Sequence, residues 1–258
     1  VNRMNLSSLI AVEFKKIRRS KILPVMLIAA IILWLPSLFN GELIFDTTGE
    51  ISPEQNFFIQ GLLGLSWFLY PASMVVAALL LNQLERSNNG ILKMLALPTN
   101  MAKLSLSKFI VLLVLAVIQL LMVTLIYYIS AAIVSQTQNY DFILSPLFVL
   151  KEIGLIYITS IPMLAVFWMI SVCIKTSIFS AGISLASIVP SVLFINTEAW
   201  FAYPMSYPFF IITSEYEKLS ASSSASAIEF IPWIPVAVII TIISLAIASV
   251  RFGKVERR

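Results

Sequence analysis

The chain has 258 residues, of which 59% are hydrophobic and 12% are charged. A soluble domain carries about 25% charged residues, so most of this chain is expected to lie in lipid rather than in water. Histidine is absent and Cys173 is the single cysteine, which excludes an intrachain disulfide and every site whose chemistry depends on histidine.

The hydrophobic residues fall into segments that are long enough to cross a bilayer, for which about 20 apolar residues suffice. There are six such segments: 22–39, 57–81, 109–134, 153–174, 177–196 and 230–250. With the N-terminus inside, all 17 basic residues except Lys151 and Lys218 lie on the inner side, and all 13 acidic residues except Glu13, Glu85 and Glu256 lie on the outer side. Basic residues accumulate on the cytoplasmic side of membrane proteins. The pattern therefore predicts an all-α integral membrane protein with six transmembrane helices and both termini in the cytoplasm.

This distribution also explains the net charge of +4 without nucleic acid as a partner. A cleaved signal peptide is the alternative interpretation of residues 1–39. No A-x-A-like site follows the apolar stretch there, which favours a first membrane span.

Residues 5–20 precede the first span and have the periodicity of an amphipathic helix. At 100° per residue one face is apolar; it carries Leu6, Leu9, Ile10, Phe14 and Ile17. A helix of this kind lies in the membrane interface, with its basic side near anionic lipid headgroups. Glu13 falls inside the apolar stripe and needs a partner, either Lys16 at i+3 or a residue of another subunit.

The inner loop 82–108 contains a short apolar helix, Ile91–Leu97, which starts after a turn at 88–90 and is ended by Pro98. Its large apolar side chains need a place to be buried. Two interpretations remain open from the residues alone: the helix packs under the membrane domain, or it enters a groove on a soluble partner.

The outer loop 198–229 begins with a segment that is too apolar for a free loop and too rich in proline for a full span. This predicts a re-entrant or interface-lying segment, with Trp200, Tyr203 and Tyr207 at headgroup level. Its second half, Ser220 to Ala227, is a flexible connector of small residues. Prolines within the spans are expected to kink them; these are Pro36, Pro71, Pro162 and Pro190.

The spans contain essentially no charged residue, since Lys151, Glu152 and Lys175 lie at their edges. Intramembrane charges usually mark ion or proton paths, so ion-coupled transport is disfavoured. No H-E-x-x-H motif and no G-x-x-x-x-G-K-[ST] loop occurs. We therefore expect that the chain is not an enzyme, and that any transport is powered by another chain.

Three segments in this order carry a resemblance to a known family. They are Glu13-Phe-Lys-Lys-Ile-Arg-Arg-Ser20, the run from Glu85 through Gly90-Ile-Leu-Lys-Met-Leu-Ala-Leu-Pro98 to Ser107-Lys108-Phe109, and Tyr203-Pro-Met-Ser-Tyr-Pro208. With the six spans, they resemble the permease subunits of ABC-type exporters, in particular the short permeases of lantibiotic immunity and bacitracin resistance.

The resemblance implies a role for each segment within a single transmembrane domain, 1–258. The elbow helix, 5–20, would act through Glu13, Phe14, Lys16, Arg18 and Arg19. Coupling to the ATPase would fall to Glu85, Gly90, Ile91, Leu92, Lys93, Met94, Leu95 and Leu97. The outer gate would be formed by Trp200, Tyr203, Pro204, Tyr207 and Pro208.

The resemblance also implies the assembly and its substrate. Two permease chains, identical or homologous, would join two cytoplasmic ATPase subunits that hold ATP and Mg, in the lipid of a bacterial plasma membrane. The expected activity is export of hydrophobic or amphipathic antimicrobial peptides. The alternatives are export of another lipophilic compound or antibiotic, and a membrane scaffold or sensor that moves no substrate.

Overall fold

The structure, a computed structural model, describes residues 6–17, 20–39, 51–86, 101–220 and 230–252. The helices of this part are α1 (Leu6–Ile17), α2 (Ile22–Phe39), α3 (Pro53–Gly64), α4 (Tyr70–Arg86), α5 (Met101–Gln138), α6 (Pro146–Cys173), α7 (Ser177–Ala186), α8 (Ser191–Phe194), α9 (Tyr207–Ser220) and α10 (Phe230–Phe252). A π-helical turn, Leu65–Leu69, joins α3 to α4, and two 3₁₀ turns, Trp200–Ala202 and Pro204–Ser206, precede α9.

Five helical stretches in the described part are long and apolar enough to cross a membrane. They are Pro53–Gln83, Met101–Gln138, Pro146–Cys173, Ser177–Phe194 and Ile231–Phe252. A sixth is added when α1 and α2, which meet at a bend of 67°, count together as one span. Each stretch overlaps a segment predicted from hydropathy, which confirms that the described part is helical, with five to six candidate spans.

Helix α5 lies at the centre of the bundle and packs against α1, α2, α4, α6 and α10. It runs for 38 residues and contains neither proline nor glycine. Breaks occur near Pro71 and Pro190, whereas α2 and α6 continue as single helices through Pro36 and Pro162. Pro190 separates α7 from α8, and the π-helical turn at Leu65–Leu69 immediately precedes Pro71. Because proline has no N–H, the carbonyl four residues earlier loses its helical donor, and a wider turn accommodates this loss.

The structure corrects the predicted inner loop 82–108. Helix α4 continues to Arg86 and α5 begins at Met101, so only residues 87–100 lie between the two helices. The apolar periodicity of the third span extends back to Leu104, which is buried, and this favours continuing the helix over forming a loop. Lys108 therefore lies about two turns inside α5, where it is fully buried.

Helix α2 approaches α3 closely at Trp34. Its indole Nε1 donates to the carbonyl oxygen of Val123 at 3.3 Å, and its ring stacks on Phe57 at a centroid distance of 5.4 Å. A Cβ atom on Gly61 would lie 2.4 Å from this ring, well inside van der Waals contact. Glycine at this position is what permits the two helices to come together.

Candidate functional site

The most polar buried contact of the described part joins α1 to α5. Glu13 is 1% exposed, and its Oε2 lies 2.8 Å from the Nζ atom of Lys108, which is fully buried. Its Oε1 lies 2.6 Å from Nζ of Lys16. The Lys108 ammonium also donates to the carbonyl oxygen of Leu81 at 3.2 Å. We call these four residues the α1 junction; in it both carboxylate oxygens of Glu13 face a cation.

The helical repeat of α1 explains how the junction forms. Leu9, Glu13 and Ile17 are spaced by four residues and make the buried stripe of the helix. The predicted pairing of Glu13 with Lys16 is confirmed. The other carboxylate oxygen contacts Lys108 of the same chain, so Glu13 is paired without another subunit.

Further contacts at the same end of the bundle join α6 to α4, α5 and α10. Asn82, near the end of α4, donates through Nδ2 to the carbonyl oxygen of Ser171 on α6. Trp168 donates through Nε1 to Oγ of Ser105 on α5 at 3.1 Å, and its ring stacks on Phe252 of α10. The two helices that flank residues 87–100 are therefore held on both sides, by α1 and by α6.

The opposite end carries an aromatic cluster formed by Trp200, Tyr207, Phe210 and Trp233. Trp200 stacks on Phe210 with ring centroids 3.7 Å apart and planes at 14°. The Trp233 ring lies 5.3 Å from Trp200 and 5.7 Å from Tyr207. These contacts join the segment before α9, α9 itself and the start of α10.

Hydroxyl groups fix the backbone around this cluster. Tyr203 donates to the carbonyl oxygen of Ser187, and Tyr207 donates to that of Phe201. Burial raises the pKa of Tyr207 to about 12, and it also raises that of Tyr203. Both phenols are therefore neutral at physiological pH and remain donors.

Comparison with known proteins identifies the family. The model of the ABC-2 family transporter proteins matches residues 9–191, more than half of the chain. The chain belongs to the ABC-2 transporter family. It is thus a multi-pass membrane permease, a transport subunit rather than a catalytic one, of a kind that usually works with an ATPase partner. No curated protein and no solved structure matches the chain.

The structure of this ABC-2 permease covers part of the predicted coupling and elbow residues. Glu85 lies in the last turn of α4, and Phe14 packs against the core from α1. The remaining ones lie outside the described residues; these are Arg18, Arg19, Gly90, Ile91, Leu92, Lys93, Met94, Leu95 and Leu97. Their assignment to elbow and coupling helix stays a prediction.

The predicted outer-gate residues come together in the permease. Trp200 and Tyr207 belong to the aromatic cluster, and the Tyr203 ring stacks on Phe194 at 4.5 Å. Pro204 begins the second 3₁₀ turn and Pro208 lies in the first turn of α9, both of them buried. Helix α9 has 14 residues, fewer than a span needs. A gating role for these residues stays a prediction.

The prediction that the spans are essentially free of charge needs correction. Lys108 and Glu152 both lie within spans, fully buried. Glu152 Oε1 pairs with Nζ of Lys151 at 3.0 Å, and the same ammonium lies 3.7 Å from Glu215 Oε2 on α9, which also pairs with Lys218. Glu152 is buried, whereas the Lys151 side chain is 54% exposed. The adjacent lysine and glutamate in an apolar run are a sequence signal for this pair.

Proposed function

We propose that this permease is the membrane subunit of an ATP-driven exporter that expels hydrophobic or amphipathic antimicrobial peptides, as lantibiotic-immunity and bacitracin-resistance permeases do. The observation that carries the proposal is the α1 junction. It anchors the two helices that flank residues 87–100, the segment predicted to contact the ATPase.

The end of the bundle that carries α1 is assigned to the cytoplasm. The described basic residues other than Lys151 and Lys218 cluster there; they are Lys15, Lys16, Lys21, Arg86, Lys103, Lys108, Lys175 and Arg251. The positive-inside rule supports this orientation. The aromatic cluster then lies at the outer face.

Residues 91–97 would dock in the ATPase cleft as a coupling helix, in the manner of an apolar helix entering a groove. Two such permeases would join two ATPases, which hold ATP and Mg. Residues 87–100 connect directly to α4 and α5. A movement of this segment would therefore reach the membrane through these two helices, which the α1 junction holds to α1.

The substrate class is supported by the composition of the spans and of the opposite end. Apart from Lys108, Glu152 and their partners, the spans consist mainly of apolar residues, and these suit a lipophilic substrate. The aromatic cluster, with exposed Glu217 further along the helix that carries Phe210, suits a peptide with both apolar and cationic groups. Export of another lipophilic antibiotic is the second candidate, because an apolar path alone supports it equally.

Co-purification tests the assembly. The permease is expressed with its ATPase, and Leu92→Asp and Leu95→Asp are each expected to abolish the complex, because a charge replaces a side chain that must enter an apolar groove. Asn89→Asp adds the same charge in the same segment without removing an apolar group, so it is expected to leave the complex intact. Survival of the complex in both leucine variants would contradict the coupling role.

Susceptibility assays test the transported class. Cells that lack the permease are challenged with cationic peptides, neutral peptides and lipophilic antibiotics. We expect sensitivity to rise for amphipathic peptides, and an unchanged response to every peptide would exclude peptide export. A partner ATPase that binds but cannot hydrolyse ATP separates export from a scaffold role, since only a scaffold would still protect the cells.

A further inference from the structure

A single ammonium group on α5 contacts two other helices, α1 and α4, at the α1 junction. Lys108 belongs to α5, its Nζ lies 2.8 Å from the Glu13 carboxylate of α1, and it donates at 3.2 Å to Leu81 on α4. Leu81 lies five residues before the end of α4, and Lys108 lies seven residues after the start of α5. The Lys108 ammonium therefore links α1 to both α4 and α5, the two helices that flank residues 87–100.

The two contacts of Lys108 are hard to break, because both side chains of the ion pair are out of water. Removing the partner of a buried charge leaves that charge uncompensated, which is strongly unfavourable. Apolar packing of Leu9 and Ile17 could hold α1 against α5, but apolar contacts can slide along a helix. The contact between Glu13 Oε2 and Lys108 fixes one register of α1 against α5, while Oε1 is held by Lys16 within α1.

We propose that Glu13 and Lys108 are positioning residues that join α1 to the ends of α4 and α5 as one rigid unit. A movement of residues 87–100 would then be passed to α1, and from α1 to α2, which begins at Ile22 only a few residues later. The proposal rests on the proposed function, because it assumes that an ATPase moves this segment.

The path continues into the bundle through polar contacts of α2. Gln119 of α5 donates through Nε2 to the carbonyl oxygen of Met26 at 3.2 Å, and Trp34 donates to Val123 on the same helix. Helix α2 is thus held to α5 independently of the α1 junction, so a probe for the junction must lie on α1 itself. Val12 of α1 is 40% exposed and suits that purpose.

The test measures movement of α1 without a transported substrate. Val12→Cys is introduced together with Cys173→Ser, and the permease is purified with its ATPase in lipid nanodiscs. The rate of maleimide labelling at position 12 is compared between the nucleotide-free complex and the complex trapped with ATP and vanadate. We expect trapping to change this rate in the otherwise unaltered permease.

Glu13→Gln and Lys108→Met are each expected to retain the ATPase and to lose the nucleotide-dependent change in labelling rate. Lys16→Gln is the matched control. It removes one cation from Glu13 without touching α4 or α5, so the change should persist. Glu13→Asp keeps a carboxylate for Lys108 and leaves the donation from Lys108 to Leu81 untouched, so it should retain the change.

Full nucleotide-dependent changes in both single variants would overturn the proposal. So would a Glu13→Asp variant that assembles without the change, because a carboxylate facing Lys108 would then not be sufficient. If the neutral variants do not fold, Glu13→Asp decides alone. Loss of the ATPase from the unaltered permease would instead contradict the proposed function.

Discussion

The two ends of the bundle are held together by different chemistry. At the α1 junction, Glu13 and Lys108 form a buried ion pair, whereas at the opposite end Trp200 and Phe210 are stacked aromatic rings. An ion pair out of water tolerates almost no separation, while stacked rings tolerate sliding at a small cost. We infer that the α1 end keeps its geometry during transport and that the aromatic end is the one that rearranges.

The largest loss of stability is expected from removing the Glu13–Lys108 ion pair of the α1 junction. Lys108→Met removes a cation from a carboxylate that is 1% exposed, and it should lower the free energy of unfolding by about 3–5 kcal/mol. Lys15→Met removes an exposed cation from α1 and serves as the control. Thermal and denaturant unfolding in detergent measure both. Equal stability of the two variants would show that the pair contributes nothing.

A smaller effect is expected midway between the two ends. Gly61→Ala places a Cβ atom 2.4 Å from the Trp34 ring, and this overpacking should cost about 1–3 kcal/mol. Gly64→Ala is the matched control on the same helix, since its Cβ would meet Leu33 at an ordinary 3.8 Å. Unfolding followed by tryptophan fluorescence should separate the two. An unaffected Gly61→Ala variant would mean that α2 and α3 can move apart freely.

A substitution in the aromatic cluster should lower the free energy of unfolding by a smaller amount. Phe210→Leu keeps an apolar side chain but removes the ring that stacks on Trp200, with an expected loss of about 0.5–1.5 kcal/mol. Phe179→Leu on α7 changes a ring that is 68% exposed, and no loss is expected there. The same unfolding assay applies. A loss from Phe210→Leu as large as that from Lys108→Met would remove the contrast between the two ends.

The smallest effect is expected from an ion pair in water. Lys218 lies 2.9 Å from Glu215 but is 35% exposed, so Lys218→Gln should cost less than about 1 kcal/mol, and the cost should fall as salt screens the pair. Unfolding at low and high ionic strength measures this. A cost that salt leaves unchanged would show that the pair is shielded like Glu13 and Lys108.

The sequence predicted the features that depend on local pattern. Hydropathy located the spans, the helical repeat located α1, and i+3 spacing paired Glu13 with Lys16. The partner Lys108 was missed because it lies 95 residues along the chain and was assigned to a loop. The contact of Lys151 with Glu215 was missed for the same reason. Such pairings depend on how helices pack, which local periodicity does not encode.

The uninterrupted length of α5 has a mechanical consequence. Its 38 residues measure about 57 Å, nearly twice the bilayer core of about 30 Å. Every other span contains a proline at which it can bend. Lys108 lies near one end of α5, and Tyr127, which donates to the Phe142 carbonyl at 3.1 Å, lies towards the other. When a straight helix tilts in the membrane, its two ends move in opposite directions. A tilt of α5 at the α1 junction would therefore displace the opposite end of the bundle directly, without a chain of side-chain contacts.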